Sequence, residues 1–288
     1  MSWFANIRTW LLCLALAFGS MATPLVSAAP AWQKELTPPK PGSFPLPQEM
    51  QLHYRFGWAA LPAATADFTF SRPRSGILQT EGNGGTLGVV RGLWKMDAIY
   101  SARANAQTLR PIEFTQQEIY RTETKHTETT FTDRDVNRRR YTTPTDPVIP
   151  KKKRVAYPFL HDLDSAYFFI RSQRLAKGDI YKLLVFPQTT AYLATVTVTG
   201  REPLTIKAGR FPAISCDLKL QEVDSHQNLI PHQKFKQATL WVSDDANRIP
   251  LKIESEIFVG SVWLELEKKE AKAETSSREK TAATAQVN

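Results

Sequence analysis

Apolar and polar residues alternate with a period of two along several separate segments of the chain. Leu52, Tyr54, Phe56 and Trp58 alternate with His53, Arg55 and Gly57, and Ile214, Cys216, Leu218 and Leu220 with Ser215, Asp217, Lys219 and Gln221. Leu251, Ile253, Ser255 and Ile257 alternate with Lys252, Glu254 and Glu256, and Val262, Leu264 and Leu266 repeat the pattern. A two-residue period turns one face of a strand to a core and the other to water. Many such strands without long helices between them predict a mainly β domain, a curved antiparallel sheet or incomplete β-barrel. One segment departs from this period. Leu163, Ala166, Tyr167 and Ile170 recur at helical spacing, with Asp162 or Asp164 able to cap the start and Gly178 the end. This predicts one covering helix over about 162–177. A second, short helix can form near Val89 to Lys95.

Two further segments invite specific expectations. Asn83-Gly84 reads as a hairpin turn, because both residues tolerate positive φ. Thr115 to Thr132 is strand-like but polar on both faces, which predicts an edge or a solvent-facing ribbon. The basic runs Arg138-Arg139-Arg140 and Lys151-Lys152-Lys153-Arg154 read as a charged loop interrupted by prolines.

The ends of the chain set its compartment and boundaries. Arg8 precedes an uncharged apolar run from Trp10 to Phe18, and small residues follow, ending in Val26-Ser27-Ala28. The run is too short to span a bilayer, and the small residues fit a signal-peptidase site, so a signal peptide over 1–28, cleaved after Ala28, is expected. The mature chain is then periplasmic or secreted, with no transmembrane segment. Cys13 follows Leu12 inside the apolar core, which argues against lipid attachment. Its removal leaves Cys216 without a partner for an internal disulfide, so stability must come from the core. Prolines at 30, 38, 39, 41, 45 and 47 predict an extended linker over 29–48. Residues 268–288, rich in Lys, Glu, Ala, Thr and Ser, predict a disordered tail. The folded unit is expected over 49–267.

Reaction chemistry is hard to find. The chain has no G-x-S-x-G, H-E-x-x-H or C-x-x-C motif, and the Gly82–Gly85 cluster lacks a dinucleotide fingerprint. No catalytic residue, metal site or cofactor is implied. His161, Asp162 and Asp164 are close in sequence, but a carboxylate at a helix start is favoured electrostatically, so a cap explains them better than a metal. Asp162 and Asp164 as the acid pair of a cell-envelope hydrolase is the weakest reading, because residues two apart at a helix start point in different directions. Cys216 sits on the apolar face and reads as a buried, inert thiol.

Net charge is +9. An exported protein meets little nucleic acid but many anionic headgroups, so the basic runs read either as a contact for an anionic envelope surface or as a solvated loop that aids solubility. Trp241 and Trp263 have the parity of the polar face, so either a groove or a second covering layer receives them. Trp58, Trp94, Tyr167 and Trp241 are the candidate contacts for a lipid-like or other hydrophobic ligand, with core packing the stronger alternative for Trp58. An envelope scaffold that binds another protein through a sheet edge is the second reading.

Several stretches resemble one family. Asp162-Leu163-Asp164-Ser165-Ala166-Tyr167-Phe168-Phe169-Ile170-Arg171 resembles a helix of an uncharacterised bacterial family, domain of unknown function 3108. Ala208-Gly209-Arg210-Phe211 resembles its turn before a long strand, and Trp241 to Pro250 resembles its hairpin, with Asp244, Arg248 and Pro250 at matching places. Tyr54 to Trp58 and Leu109-Arg110-Pro111 fit more loosely. The resemblance implies an exported, β-rich envelope protein and carries over no catalytic residue. The Trp241–Pro250 hairpin is also similar to one in the half-barrel carriers that ferry lipoproteins across the periplasm, an analogy of fold alone.

Overall fold

The computed structural model describes residues 29–132, 135–144, 149–154 (backbone alone), 157, 159–187, 189–231, 237–257 and 260–271. The expected signal peptide lies outside them, as does the expected tail beyond Ala271. After a 3-10 turn at Ala31–Glu35 come β1 (Met50–Trp58), β2 (Leu61–Ser71), β3 (Ile77–Thr86), α1 (Gly88–Leu93) and β4 (Asp97–Asn105). Then follow β5 (Pro111–Ile119), β6 (Thr124–Phe131), β7 (Asp135–Thr143), β8 (Ile149–Arg154), β9 (Leu160–His161) and α2 (Leu163–Ser172). The chain continues through β10 (Ile180–Val185), β11 (Ala191–Ile206), β12 (Gly209–Val223), β13 (Leu229–Pro231), β14 (Ala238–Ser243), β15 (Pro250–Glu256) and β16 (Ser261–Ala271).

These strands form one sheet in the order β8-β7-β6-β5-β4-β3-β2-β1-β16-β15-β14-β12-β11-β10-β9, with β13 beside β12. The two ends do not meet, so the curved sheet is open, as the incomplete-barrel expectation required. Every pairing is antiparallel except the short parallel pair of β9 and β10. Register shifts at His53/Tyr54, Phe56/Gly57 and Val198/Gly200 mark bulges that bend the strands.

The period-two segments form strands as read, but Trp58, read as core, is 46% exposed, and Ser215, read on the polar face, is buried. Met50, Leu52 and Tyr54 of β1 are buried while Gln51 is exposed. Helix α2 is wedged inside the curl and serves two core groups. Phe168 packs with Met50, Leu52, Phe70 and Leu251, whereas Phe169 and Ile170 pack with Leu183, Val196, Ile214 and Cys216. Truncating a buried phenylalanine of this kind costs about 3–5 kcal/mol, so α2 is an integral part of the core.

Four sequence expectations are corrected. Helix α2 ends at Ser172, short of Lys177: Gln173 is extended and Leu175 has positive φ. The Gly82–Gly85 cluster is no turn but lies within β3, where Gly82 faces Phe68 and Tyr100. A Cβ on Gly82 would fall 2.2 Å from the Tyr100 ring, so the glycine makes room for the rings of Phe68 and Tyr100 on the strands to either side. Of the two alternatives for Thr115 to Thr132, the edge is ruled out: β5 and β6 are interior strands, and the sheet ends at β8 and β9. The basic runs are not a loop: they form the paired strands β7 and β8, with Arg138 opposite Lys151. Charge repeated along an edge strand discourages unwanted pairing with another sheet.

The proline-bearing stretch 35–48 is extended and lies along α2. Phe44 N donates to Ser172 O (3.1 Å), and Thr37 N to Lys182 O (2.9 Å). The long β11–β12 hairpin turns at Gly209, whose φ of 128° favours glycine. Its tip supplies the second covering layer for Trp241, which packs near Leu204 and Phe211 and donates from Nε1 to Glu202 (2.7 Å).

Candidate ligand-binding site

α2 is fixed by its ends. Asp162 Oδ1 accepts from Ser165 N at 2.7 Å, and Ser165 Oγ accepts from Asp162 N at 3.0 Å, a reciprocal cap. At the other end Arg171 and Arg248, both buried, bind the helix to the β14–β15 turn. Arg171 Nε donates to Asn247 O (3.2 Å), while Arg248 Nη1 donates to Arg171 O (2.8 Å) and Gln173 O (2.5 Å). The turn itself is organised by Asp245 Oδ1, which accepts from Asn247 N and Arg248 N. So held, α2 packs into the core through Phe168, Phe169 and Ile170, while Leu163, Asp164 and Tyr167 border a space on the concave face.

The space between is a cavity of about 400 Å³, within the range of small-ligand pockets. Its roof is Leu163, Asp164, Tyr167 and Phe168 of α2, and its floor includes Leu52, Tyr54, Phe68, Phe70, Tyr100 and Phe114. The floor aromatics form a row across the strands. Tyr54 meets Phe68 edge-on at 5.4 Å, Phe68 meets Tyr100 at 5.6 Å, and Tyr100 meets Phe114 at 6.0 Å. The Phe68–Tyr100 contact bridges β3 because Gly82 has no side chain in the way. Tyr54 and Tyr167 engage their hydroxyls with the carbonyls of Pro250 and Arg248, each at 2.7 Å, so they offer the cavity mainly their ring surfaces. Leu163 is 63% exposed although it forms part of the wall, which places the mouth beside it. Toward the Trp58 end the concave face continues through Ala66, Gly84 and Ala98, all small and partly exposed.

One acid interrupts this apolar lining. Burial, and after it the neighbouring Asp162 carboxyl, push Asp164 up to about 7, with the Thr80 and Tyr100 hydroxyls near enough to favour its charged form. Desolvation dominates, so the group changes charge near neutral pH. Asp162 is also raised, by burial, against the hydrogen bonds of its cap. Burial and then Arg110 lower His161 to about 4, which keeps that imidazole neutral. Among the described residues no three His, Cys, Asp or Glu side chains stand close enough to hold a metal.

Of the aromatics read as ligand contacts, Tyr167 lines the cavity; Trp58, Trp94 and Trp241 do not. Trp58 and Trp94 are exposed at one end of the sheet. Asp162, Arg171, Gly209, Asp244, Arg248 and Pro250 take structural places: Asp244 accepts from Arg201 at 2.8 Å, and Pro250 begins β15. Sequence reasoning missed the floor residues Thr80, Tyr100, Phe114 and Gln116, which only strand pairing brings beneath α2. A larger depression, about 660 Å³, lies around the stacked rings of His126 and Tyr141. Its lining mixes polar and apolar groups and includes no helix residue, so the smaller, more apolar cavity is the better candidate site.

No curated protein matches the chain. Among solved structures, a β-barrel-like protein of domain of unknown function 1849 from Brucella abortus superposes with a TM-score of 0.55 at 8% identity, covering 80% of this chain and all of that one. A Bacteroides fragilis protein with a YmcC-like fold covers 80% of this chain and 99% of its own, at 8% identity and a TM-score of 0.29. The first likeness shows a shared fold. The family model for proteins of unknown function DUF3108 matches residues 51–267, and the chain therefore belongs to the DUF3108 family.

Proposed function

We propose that this is an exported envelope protein that holds an elongated hydrophobic ligand between α2 and the concave face of the sheet, without chemical conversion of it. The observation that carries this reading is the apolar cavity kept open beneath a helix whose two ends are pinned. A well-packed core leaves few spaces larger than a water molecule, and this one is of ligand size and lined by aromatic rings. Asp164, with Tyr100 beside it, offers one polar anchoring point, suited to a hydroxyl or amine on the ligand. The N-terminal pattern of Arg8, the apolar run and Ala28 supports export.

Leu163→Glu gives a direct test. The residue is exposed at the first turn of α2, where an acid favours the helix, yet it forms part of the cavity wall. The wild-type protein should bind a fluorescent fatty acid with a saturable, displaceable signal. L163E should fold normally and bind at least about tenfold more weakly, since a charge at the mouth must be desolvated. Equal binding by both proteins, or none by the wild type, would refute the cavity as the site.

A further inference from the structure

We infer that the β1–β2, β3–β4 and β5–β6 connections together form a docking surface for an anionic lipid bilayer. These connections, at 59–60, 87–96 and 120–123, all lie at the same end of six neighbouring strands, β1 to β6. They form one surface. Leu87 N donates to Ala63 O (2.9 Å), Trp94 lies 6.3 Å from the Tyr120 ring, and Arg121 Nη2 donates to Gly92 O (2.6 Å).

What this surface exposes is unlike ordinary turn chemistry. Val89 is 71% and Leu93 84% exposed, and Trp58, Leu61 and Trp94 are exposed beside them. The segment from Phe56 to Ala63 contains no charge at all. At the opposite end of the same strands the connections carry Arg72, Arg74, Gln107, Thr108 and Arg110, as solvated turns do. An isolated exposed leucine means little, but a contiguous apolar patch marks an interaction site.

The composition selects the occupant. Trp and Tyr rings with one polar atom, flanked by Lys and Arg, suit the boundary between headgroups and acyl chains. Segment 87–96 contains Arg91 and Lys95 and no acid. Arg91 is balanced by Asp97 (2.6 Å), and Lys125 by Glu123 (3.0 Å). Lys95 shares Asp97 with Arg91, and Arg121 donates to a backbone carbonyl. The connections thus keep more cations than acids, and the basic strands β7 and β8 follow β6 in the sheet. An apolar projection with unbalanced cations matches a negatively charged membrane better than it matches a second copy of the same cationic surface. α1 is the projecting element, with three of the exposed side chains on or next to one short turn. The docking surface goes beyond the cavity reading and stands without it.

Cosedimentation with vesicles tests this. The purified protein should sediment with vesicles containing phosphatidylglycerol, less with pure phosphatidylcholine, and less again at high salt. The triple variant Val89→Ser, Leu93→Ser, Trp94→Ser should keep its circular dichroism and unfolding midpoint and lose vesicle affinity about tenfold or more. Lys95→Glu should lose the preference for phosphatidylglycerol while retaining residual phosphatidylcholine binding. An exposed leucine-type residue elsewhere serves as control, with Ile230→Ser expected to bind as wild type. The inference is overturned if the wild type binds neither vesicle, if the triple variant binds as well as wild type, or if the patch proves to mediate a dimer that the triple variant dissolves without any vesicle binding. Fatty-acid binding by the triple variant should be unchanged, so the two readings fail separately.

Discussion

Arg248 donates to the carbonyl oxygen of Arg171 while Arg171 donates to that of Asn247, so two buried arginines clamp the end of α2 and the β14–β15 turn to each other. Arg248 also reaches Gln173 O and Arg174 O and stacks its guanidinium 3.4 Å from the Phe44 ring centroid. The planar fork of Arg permits this; the single ammonium of Lys does not. Desolvation lowers the pKa of both guanidiniums, the second charge adding to the effect at Arg248.

Arg248→Ala should therefore leave several buried carbonyls unpaired and reduce stability by about 2–4 kcal/mol. Arg248→Lys should recover less than half of the loss. Chemical denaturation checks both, with Arg121→Ala, an exposed position, expected to stay close to wild type.

Asp164 sets a pH dependence whose sign is unusual for a carboxylate. Its pKa rises from an ordinary 3.8 to about 7 in the folded protein, so the folded state binds the proton more tightly. Stability from this group is full below about pH 4 and is lost as pH rises toward 7. His161, lowered to about 4 from 6.5, acts oppositely: its contribution is lost as pH falls through the same window. Asp164→Asn removes only the first effect. The variant should gain in thermal midpoint over wild type at pH 8 and gain little at pH 4; an equal gain at both would contradict the burial argument.

Gly82→Ala places a methyl 2.2 Å from Tyr100 and 2.9 Å from Phe68. The rings must move into the cavity, at a cost of about 1–3 kcal/mol. Weaker fatty-acid binding should accompany the lower stability, which separates this variant from a defect confined to the sheet.

Cys216 is 1% exposed, and burial, then Asp217, push its thiol up to about 11. In a Cys13→Ser chain, Ellman's reagent at pH 8 should react only as fast as the protein opens, with prompt reaction in denaturant. Prompt reaction of the native protein would contradict the packing described.

The parts legible in the sequence were those governed by local rules. Alternation located β1, β12, β15 and β16, although Ala213 to Cys216 of β12 are buried on both faces, and of the two caps offered, Asp162 or Asp164, Asp162 starts α2. The Trp241–Pro250 hairpin expected from the resemblance is the β14–β15 hairpin. Local rules failed where distant strands decide. Gly82–Gly85 carries turn chemistry but serves ring packing from β2 and β4. Arg138–Arg140 and Lys151–Arg154 look like solvated loops because the last two strands of the sheet, β7 and the edge strand β8, need little apolar character. Tyr100 and Phe114 gave no sign of a site, since what distinguishes them is the helix that pairing places above them.

The account rests on an apolar cavity that is occupied in the cell. Native mass spectrometry of the gently purified protein, followed by organic extraction of the same sample, measures this directly. A reproducible apolar adduct that is absent from Leu163→Glu is the predicted result. A chain that carries no adduct and takes up no offered lipid would contradict it.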